Sequence, residues 1–484
     1  MRRTKIVATL GPASEQAEMI RSLIEAGADV MRLNQSHGTH RWHERIFKTV
    51  RETSRRLGKA VAILVDLQGP KIRIGRVALG RVELKRGSRV ELAAGNGIGN
   101  AKILYTPLGQ LVEDVKPRDR VLIDDGNIVL EVESKHKGLA RCRVVVGGPV
   151  SDHKGMNLPG VDLHLPAVTA KDLEGLRWAA RMGAEYVAVS FVRRADDIKS
   201  VKRELEKLES PIRVVAKIEK PEAVKAIAEI AAASDGLMVA RGDLGVEMNL
   251  EDVPVAQGRI IAEAHKNDIP VIVATQMLQS MTENPRPTRA EVSDVAGAIF
   301  GNTDAVMLSG ETASGKYPLQ SVRQMAAIAE HSEEFLTTSG TLQPVSYLNP
   351  VHTIADAVCH GANSTARDIG ANAVFVATTS GRTALLFSKY RFPGVVVGAS
   401  DDEASVRRMA LYWGVVPVGV PRCRGHRQLL ESMVKAARKR RLVAPGDRVI
   451  FVSGSPFGKS GATNMLLVHG LPLQGASPRV RRHK

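Results

Sequence analysis

Cysteine is scarce in this chain: Cys142, Cys359 and Cys423 are the only three in 484 residues, and no second cysteine lies near enough to any of them to form a Cys-x-x-Cys pair. An odd, widely spaced set excludes a disulfide framework and gives no thiolate zinc site, so the chain reads as a cytoplasmic protein of a reducing compartment. Aromatic residues make up only 4% and are not interleaved with arginine. That argues against stacked nucleic-acid bases, and no nucleic-acid recognition motif is present. Long hydrophobic runs are also missing. Nothing approaches the roughly 20 apolar residues that span a bilayer, and the basic start Met1-Arg2-Arg3-Thr4-Lys5 runs into a short apolar segment ending at Gly11-Pro12 rather than into a signal-peptide core. A membrane role is therefore not expected. What is present is ordinary for a globular protein: 44% hydrophobic and 25% charged residues, 43 glycines and 23 prolines. The length exceeds the roughly 250–300 residues at which one core stops growing, which predicts two or three domains. Lys and Arg number 68 against 51 Asp and Glu, a formal charge of +17. Such an excess attracts phosphates without saying whose, and basic runs such as Lys435, Arg438, Lys439, Arg440 and Arg441 read as solvated faces or subunit contacts.

Short β-branched runs alternate with helical periods from Thr4 onward. The spacing predicts strands at Lys5–Leu10, Asp29–Leu33, Ala60–Asp66, Tyr186–Phe191, Arg213–Ile218, Gly236–Ala240, Pro270–Ala274 and Ala305–Leu308, each followed by a helix. Eight βα units in succession predict an α/β fold with a (β/α)₈ TIM barrel, built from residues 1–74 and 167–336. Between the third strand and its helix, residues 75–166 alternate apolar and polar positions around Gly and Asp-Gly turns, as in Arg81-Val82-Glu83-Leu84 and Arg120-Val121-Leu122-Ile123-Asp124-Asp125-Gly126-Asn127. This predicts a small antiparallel β domain placed over the barrel face where active sites are built, a natural lid. Residues 337–350 read as a linker. Residues 351–484 resume the alternation as an open C-terminal α/β domain ending in a frayed basic tail.

Polar residues at the strand ends then converge on one cavity: Arg32, Asn34, Ser36, Asp66, Lys217, Glu219, Arg241, Gly242, Asp243, Thr275, Gln276, Ser309 and Glu311. The set offers cations for phosphate or carboxylate (Arg32, Lys217 and nearby Arg73), two carboxylates for a divalent ion (Glu219, Asp243) and hydroxyls for proton relay (Thr275, Ser309). Lys217 and Glu219 stand two apart, so a strand points them to one face. Two carboxylates with no His or Cys beside them suit a hard ion partly held by water and ligand, which describes Mg²⁺.

Six motifs in register make the chain resemble the pyruvate kinases over nearly its whole length. They are Thr4-Lys5-Ile6-Val7-Ala8-Thr9-Leu10-Gly11-Pro12-Ala13-Ser14, Arg32-Leu33-Asn34-Gln35-Ser36-His37-Gly38, Ala216-Lys217-Ile218-Glu219, Met238-Val239-Ala240-Arg241-Gly242-Asp243-Leu244-Gly245, Ala274-Thr275-Gln276-Met277-Leu278 and Met307-Leu308-Ser309-Gly310-Glu311-Thr312. The resemblance implies a barrel with an inserted β-barrel lid and a regulatory C-terminal α/β domain, assembled as a homotetramer. It also implies phosphoryl transfer from phosphoenolpyruvate to ADP, giving ATP and an enolate that is protonated to pyruvate, the last step of glycolysis. Carried over by motif, Lys217 matches the lysine that stabilises the phosphoryl transition state and Arg32 the arginine on the substrate phosphate. Glu219 and Asp243 match the Mg²⁺ ligands, with Mn²⁺ as a substitute. Gly242 and Thr275, beside Asp243, match substrate contacts, and Ser309 and Glu311 organise proton delivery. Asn34, Gln35, Ser36, His37, Arg73 and Lys171 match nucleotide contacts.

Two departures and one further loop pair carry information. Family members that require K⁺ commonly have glutamate where this chain has Lys71, beside a cation position resembling Asn34, Ser36, Asp66 and the Leu67 carbonyl. A fixed ammonium there supplies the charge and disfavours the ion, so activity without K⁺ is expected. Gln35 stands where an aromatic is common. In the C-terminal domain, Thr378-Thr379-Ser380-Gly381-Arg382-Thr383 and the loop from Ser453 to Asn464 resemble the family's pair of loops for a sugar-phosphate activator, which predicts an allosteric effector site. The competing reading is a Mg²⁺-dependent barrel lyase or aldolase acting on pyruvate or phosphoenolpyruvate; it gives no reason for a lid or for nucleotide contacts.

Overall fold

The computed structural model describes residues 1–70, 72–124, 126–136, 138–161, 168–345, 353–455 and 461–473. Lys71, the middle of the loop at 456–460 and the basic tail therefore lie outside the described residues. Eight parallel strands, Lys5–Thr9, Val30–Asn34, Ala62–Asp66, Tyr186–Val189, Arg213–Ile218, Gly236–Ala240, Val271–Ala274 and Ala305–Leu308, close into a barrel in that order. They stand where the sequence puts them. Each strand sorts its residues by parity. Ile6, Met31, Leu33, Ile63 and Val65 pack outward against the helices, while Val7, Val30, Leu64, Val215, Met238 and Ile272 fill the interior. Helix boundaries follow local chemistry: His40–Leu57 starts on a Thr39 side-chain cap and stops at left-handed Gly58, and Ala170–Met182 starts on a Thr169/Asp172 capping box and stops at Gly183.

Four details differ from the sequence reading. The single helix expected after the fifth strand breaks at Ala226 into Pro221–Lys225 and Ile227–Ala233. Arg241, Gly242 and Asp243, placed at the end of the sixth strand, open a helix that begins at once and runs to Glu247. Thr337 and Thr338, expected to open the linker, are still helical at the end of Pro318–Thr338. In the insert, Arg89–Ala94 and Ile103–Thr106 pair in parallel, because the intervening chain crosses back rather than turning as a hairpin. The other pairings between its strands are antiparallel, in a six-stranded and a two-stranded sheet over a core of their own.

The C-terminal domain is a five-stranded sheet ordered Val415–Gly419, Val395–Ser400, Ala373–Ala377, Arg448–Gly454, Thr463–Gly470, with only the last strand antiparallel. It packs under the amino-terminal end of the barrel, where Tyr186, Ala305, Leu411 and Tyr412 belong to one buried cluster. Polar groups cross this joint too. Asp304, just ahead of the eighth strand, takes Lys389 at 2.8 Å and Arg391 at 2.9 Å, all three buried. Lys5 donates to the Val415 carbonyl at 2.8 Å, and Tyr186 donates to the Arg408 carbonyl at 2.8 Å. Among the described residues no helix is long and apolar enough to cross a membrane.

Candidate active site

The carboxyl ends of the barrel strands bring the expected residues together around one charged knot. Arg32, on the second strand, donates through Nε to Asp66 Oδ2 at 2.7 Å and through Nη1 to Thr9 at 3.0 Å. Lys217, on the fifth strand, lies 2.7 Å from Glu219 Oε1 and 3.3 Å from Asp66 Oδ1. The alternation of the strand has put Lys217 and Glu219 on one side, as their spacing requires. Burial disfavours the Lys217 ammonium, but the carboxylates of Asp66, Glu219 and Asp243 outweigh it and raise its pKa, so it stays charged. Burial likewise pushes the Asp66 carboxyl up, and Lys217 with Arg32 more than reverses this, holding it below the usual carboxylate range. Glu219 is raised, by burial above all and by the nearby Asp243 charge, against the opposing pull of Lys217.

A carboxylate whose burial and whose neighbour both disfavour its charge is stabilised by a cation between the two. Among the described residues no group of three His, Cys, Asp or Glu side chains could enclose a metal. The carboxylates of Glu219 and Asp243, with no His or Cys beside them, are the kind of donor set that fits a hard divalent ion such as Mg²⁺, the remaining positions being left to water and ligand.

The seventh and eighth strands end in tight, unusual backbone. Thr275 and Gln276 have φ of 69° and 55°, a region that costs a β-branched residue energy and marks sites where geometry is enforced. Arg241 enforces it here, donating to the Thr275 carbonyl at 3.0 Å while paired with Asp294 at 2.6 Å. Thr275 Oγ1 in turn accepts the Gly242 N–H at 2.6 Å. Glu311 is fully buried and spends both oxygens on backbone, accepting from Leu278 N at 3.0 Å and Ser309 N at 2.7 Å. It holds the turn that presents Ser309, whose buried hydroxyl has no hydrogen-bond partner among the described residues.

Ser190 is the site residue that the sequence reading missed. Its Oγ accepts from Lys217 at 2.7 Å and donates to the Leu67 carbonyl at 2.8 Å, and the next residue, Phe191, turns with φ 56° to donate its N–H to Glu219 at 2.8 Å. The signal was available, since Ser190 ends the fourth barrel strand just as Lys217 and Thr275 end theirs.

The nucleotide-contact candidates divide by location. Asn34 closes a turn by accepting the Ser36 N–H at 3.0 Å, Gln35 donates its N–H to the Asp66 carbonyl at 2.9 Å, and His37 is exposed beside them. Gln35 packs on the helix Ala170–Met182 so closely that a Cβ at Gly175 would come within 2.0 Å of its Oε1. Arg73 sits instead on the connection from barrel to insert, donating to the His153 carbonyl at 2.9 Å, and Lys171 in the first turn of the helix Ala170–Met182, donating to Gln68 at 2.6 Å. Of the expected monovalent-cation position, Asn34, Ser36, Asp66 and Leu67 are described and adjoin one another through these bonds.

A second concavity of about 620 Å³ lies in the C-terminal domain, lined by Thr378, Thr379, Ser380, Arg382, Thr383 and Arg422 among others. The two expected loops meet there, with Thr383 and Thr463 hydroxyls 2.7 Å apart. Behind the pocket, the buried Arg408 donates to the Ser380 carbonyl at 3.0 Å and to the Pro211 carbonyl of the barrel at 3.1 Å.

Comparison with known proteins agrees with this geometry. Residues 1–322 match the family model of the pyruvate kinase barrel domain and residues 356–469 that of the pyruvate kinase alpha/beta domain. A pyruvate kinase of Geobacillus stearothermophilus is 42% identical over 471 residues, 97% of this chain and 80% of that protein, and one of Sporosarcina psychrophila is 42% identical over 475 residues, with the same coverage. A crystal structure of a pyruvate kinase from Cryptosporidium parvum superposes with a TM-score of 0.92 at 31% identity, covering 97% of this chain and 96% of that one. Two domains that match one family separately, in relatives that align across both, leave a single conclusion: the chain belongs to the pyruvate kinase family and is a phosphotransferase.

Proposed function

We propose that the barrel mouth carries the phosphoryl group of phosphoenolpyruvate to ADP, giving ATP and pyruvate. The observation that carries this reading is the Lys217 ammonium, held by Ser190, Glu219 and Asp66 beside Arg32, which shares Asp66. A phosphoryl group in transfer spreads negative charge over its oxygens, and cations fixed in advance stabilise it with little reorganisation. Arg32 orients the substrate phosphate, Lys217 meets the charge that develops in transfer, and the Gly242–Thr275 pair positions the carboxylate end of the substrate. Glu219 and Asp243 would hold a divalent ion, which supplies charge neutralisation of the phosphoryl and carboxylate oxygens. Ser309, held by Glu311, lies on the path that delivers a proton to the enolate. Asn34, Gln35, Ser36 and His37 contact the nucleotide from the barrel, Arg73 from the lid connection and Lys171 from the first turn of the helix after the lid. The lyase alternative needs no nucleotide, so pyruvate formation with Mg²⁺ in K⁺-free buffer, with and without ADP, separates the two. An ADP-dependent rate is expected; pyruvate released equally without ADP would overturn the kinase reading.

In the same reading Lys71 replaces K⁺ at the position framed by Asn34, Ser36, Asp66 and Leu67. The support is charge: Asp66 already carries two cations, Arg32 and Lys217, and a further lysine five positions along the chain leaves little for a monovalent ion to neutralise. Lys71→Glu is expected to make the initial rate depend on added KCl by about tenfold or more, since a charge pair about 4 Å apart is worth from about 1 kcal/mol in water to about 4 kcal/mol near a protein surface; a variant indifferent to KCl would refute the replacement.

The C-terminal pocket is assigned to a phosphorylated activator on its two arginines, its hydroxyl-rich lining and the two loops that meet in it. Arg408 gives it a physical route to the barrel. Sugar phosphates and AMP are the compounds to titrate. Arg382→Ala is expected to abolish the shift they cause in the phosphoenolpyruvate saturation curve while leaving the basal rate at saturating substrate intact, and an unchanged shift would exclude Arg382 from the site. A homotetramer in the cytoplasm completes the reading, supported by the family and by free cysteines, of which the buried Cys142 and Cys359 have thiols pushed up to about 12 by burial.

A further inference from the structure

One buried carboxylate near the site has no part in the reading above. Glu247 ends the short helix Arg241–Glu247, four residues and one turn beyond Asp243, so the two share a helix face. Its side chain is only 2% exposed. Its Oε1 takes two donors from different parts of the molecule. Lys220, the residue after Glu219, lies 3.0 Å away, and Asn157 of the insert donates at 2.9 Å. Asn157 belongs to the strand Met156–Asn157, which pairs with Arg120–Ile123 at the edge of the insert's six-stranded sheet. Oε2 is buried and has no hydrogen-bond partner among the described residues. A carboxylate this dry, with one oxygen unused, is costly unless its remaining contacts are worth keeping.

We infer that Glu247 is a positioning residue that clamps the two metal-bearing segments together and fastens the base of the lid to them. The inference rests on reading Glu219 and Asp243 as the metal ligands. The logic is one of connectivity. Glu219 follows the fifth strand and Asp243 opens the helix after the sixth, so the two carboxylates stand on different segments of the chain. The Lys220–Glu247 ion pair joins those segments one residue past the first ligand and one turn past the second, which fixes the gap between the two carboxylates. Groups that orient metal ligands in this way typically contribute about 10- to 100-fold to metal affinity. Asn157, bonded to the same oxygen, feels any change in that gap. Ion binding and the set of the lid base are then linked, each favouring the other by the same factor.

The test uses the full chain without substrates and reads Mn²⁺ binding from the free-ion electron paramagnetic resonance signal. Glu247→Gln and Lys220→Met are both expected to weaken Mn²⁺ binding about tenfold. Lys220→Met is decisive, because it removes a positive charge next to a cation site. A Lys220 that acted only through its charge would bind the ion more tightly when lost, so equal or tighter binding by that variant overturns the clamp. The lid arm is read by hydrogen exchange over residues 154–158. Mn²⁺ is expected to slow exchange there several-fold in the native chain and not in Asn157→Ala, whose Mn²⁺ affinity stays within about twofold of native; slowing that survives in Asn157→Ala overturns the link to the lid. A native chain that binds no Mn²⁺ would instead remove the metal assignment beneath the inference, so the two failures are told apart. Lys220 and Asn157 are not part of the core, so the test stands even where Glu247→Gln does not fold.

Discussion

Lys217→Met is expected to lower kcat by about 10²–10³ or more while the KM for phosphoenolpyruvate changes far less, measured as initial rates at saturating ADP and Mg²⁺. The asymmetry follows from where the ammonium sits. In the proposed reading Arg32 remains to bind the phosphate in the ground state, whereas the charge that spreads over the oxygens during transfer loses the cation prepared for it. The effect is large because Lys217 is fixed: Ser190, Glu219 and Asp66 hold it from three sides, and its side chain is 12% exposed. Lys217→Arg is expected to rescue little, since a planar guanidinium cannot take three contacts converging on one nitrogen. The raised pKa of Lys217 gives a second signature. Its carboxylate neighbours outweigh the burial that would discharge it, so it is protonated well above its ordinary value, about 10.4. The native pH–rate profile between about 6 and 9 therefore carries no break from Lys217. Near-normal kcat in Lys217→Met would overturn the role given to this residue.

Asp304→Asn is expected to cost about 3–5 kcal/mol, seen as a lower urea midpoint and earlier loss of the joint between barrel and C-terminal domain. The substitution keeps the shape of the side chain and an acceptor for Val271 N, but it leaves Lys389 and Arg391 buried without their anion. The arginine keeps the Trp413 ring, 4.5 Å from its guanidinium carbon, and the Asn302 carbonyl, which compensates only in part. Replacing Asp304, Lys389 and Arg391 together by Leu, Met and Met is expected to recover much of the loss, because an apolar trio of similar volume has no desolvation cost to repay. Losses that simply add across the three positions would contradict the ion cluster as their cause.

The same joint sets the response to acid. Burial raises the Asp304 carboxyl, but Lys389 and Arg391 outweigh it and hold it far below the carboxylate range. Its contribution is present above the ordinary aspartate value, about 3.9, and is lost as the pH falls through the lower folded value. His265 beside it is held neutral, its pKa lowered to about 3 by burial and by Lys389. The unfolded chain takes up that proton near 6.5, so stability declines as the pH falls from about 6.5 towards 3. His265→Gln, which can still donate to the Asn302 carbonyl, is expected to flatten this part of the acid-unfolding curve.

The barrel was legible because its signals are local. Strands such as Val30–Asn34 are short apolar runs whose last residue is polar, and helices such as His40–Leu57 begin and end on residues with capping chemistry. The convergence of Arg32, Lys217, Glu219 and Asp243 could be read once those strands were accepted, since the carboxyl ends of parallel barrel strands all face one way. Ser190 obeys the same rule but stands outside the six motifs that single out uncharged residues such as Thr275 and Ser309. The parallel pair Arg89–Ala94 and Ile103–Thr106 was not legible: alternation names a strand's two faces but says nothing of which neighbour it joins.

The sequence by itself determined the fold class, the family and the identity of the charged residues, because periodicity, capping and motif spacing act over a few residues and survive without knowledge of the whole. Only the tertiary structure decided how those charges share partners. Lys217 and Asp66 are 151 positions apart in the chain, and Asn157 and Glu247 are 90 apart. Coulomb attraction and hydrogen bonding act through distance in space, and that distance is set by how the barrel closes and where its insert comes to rest.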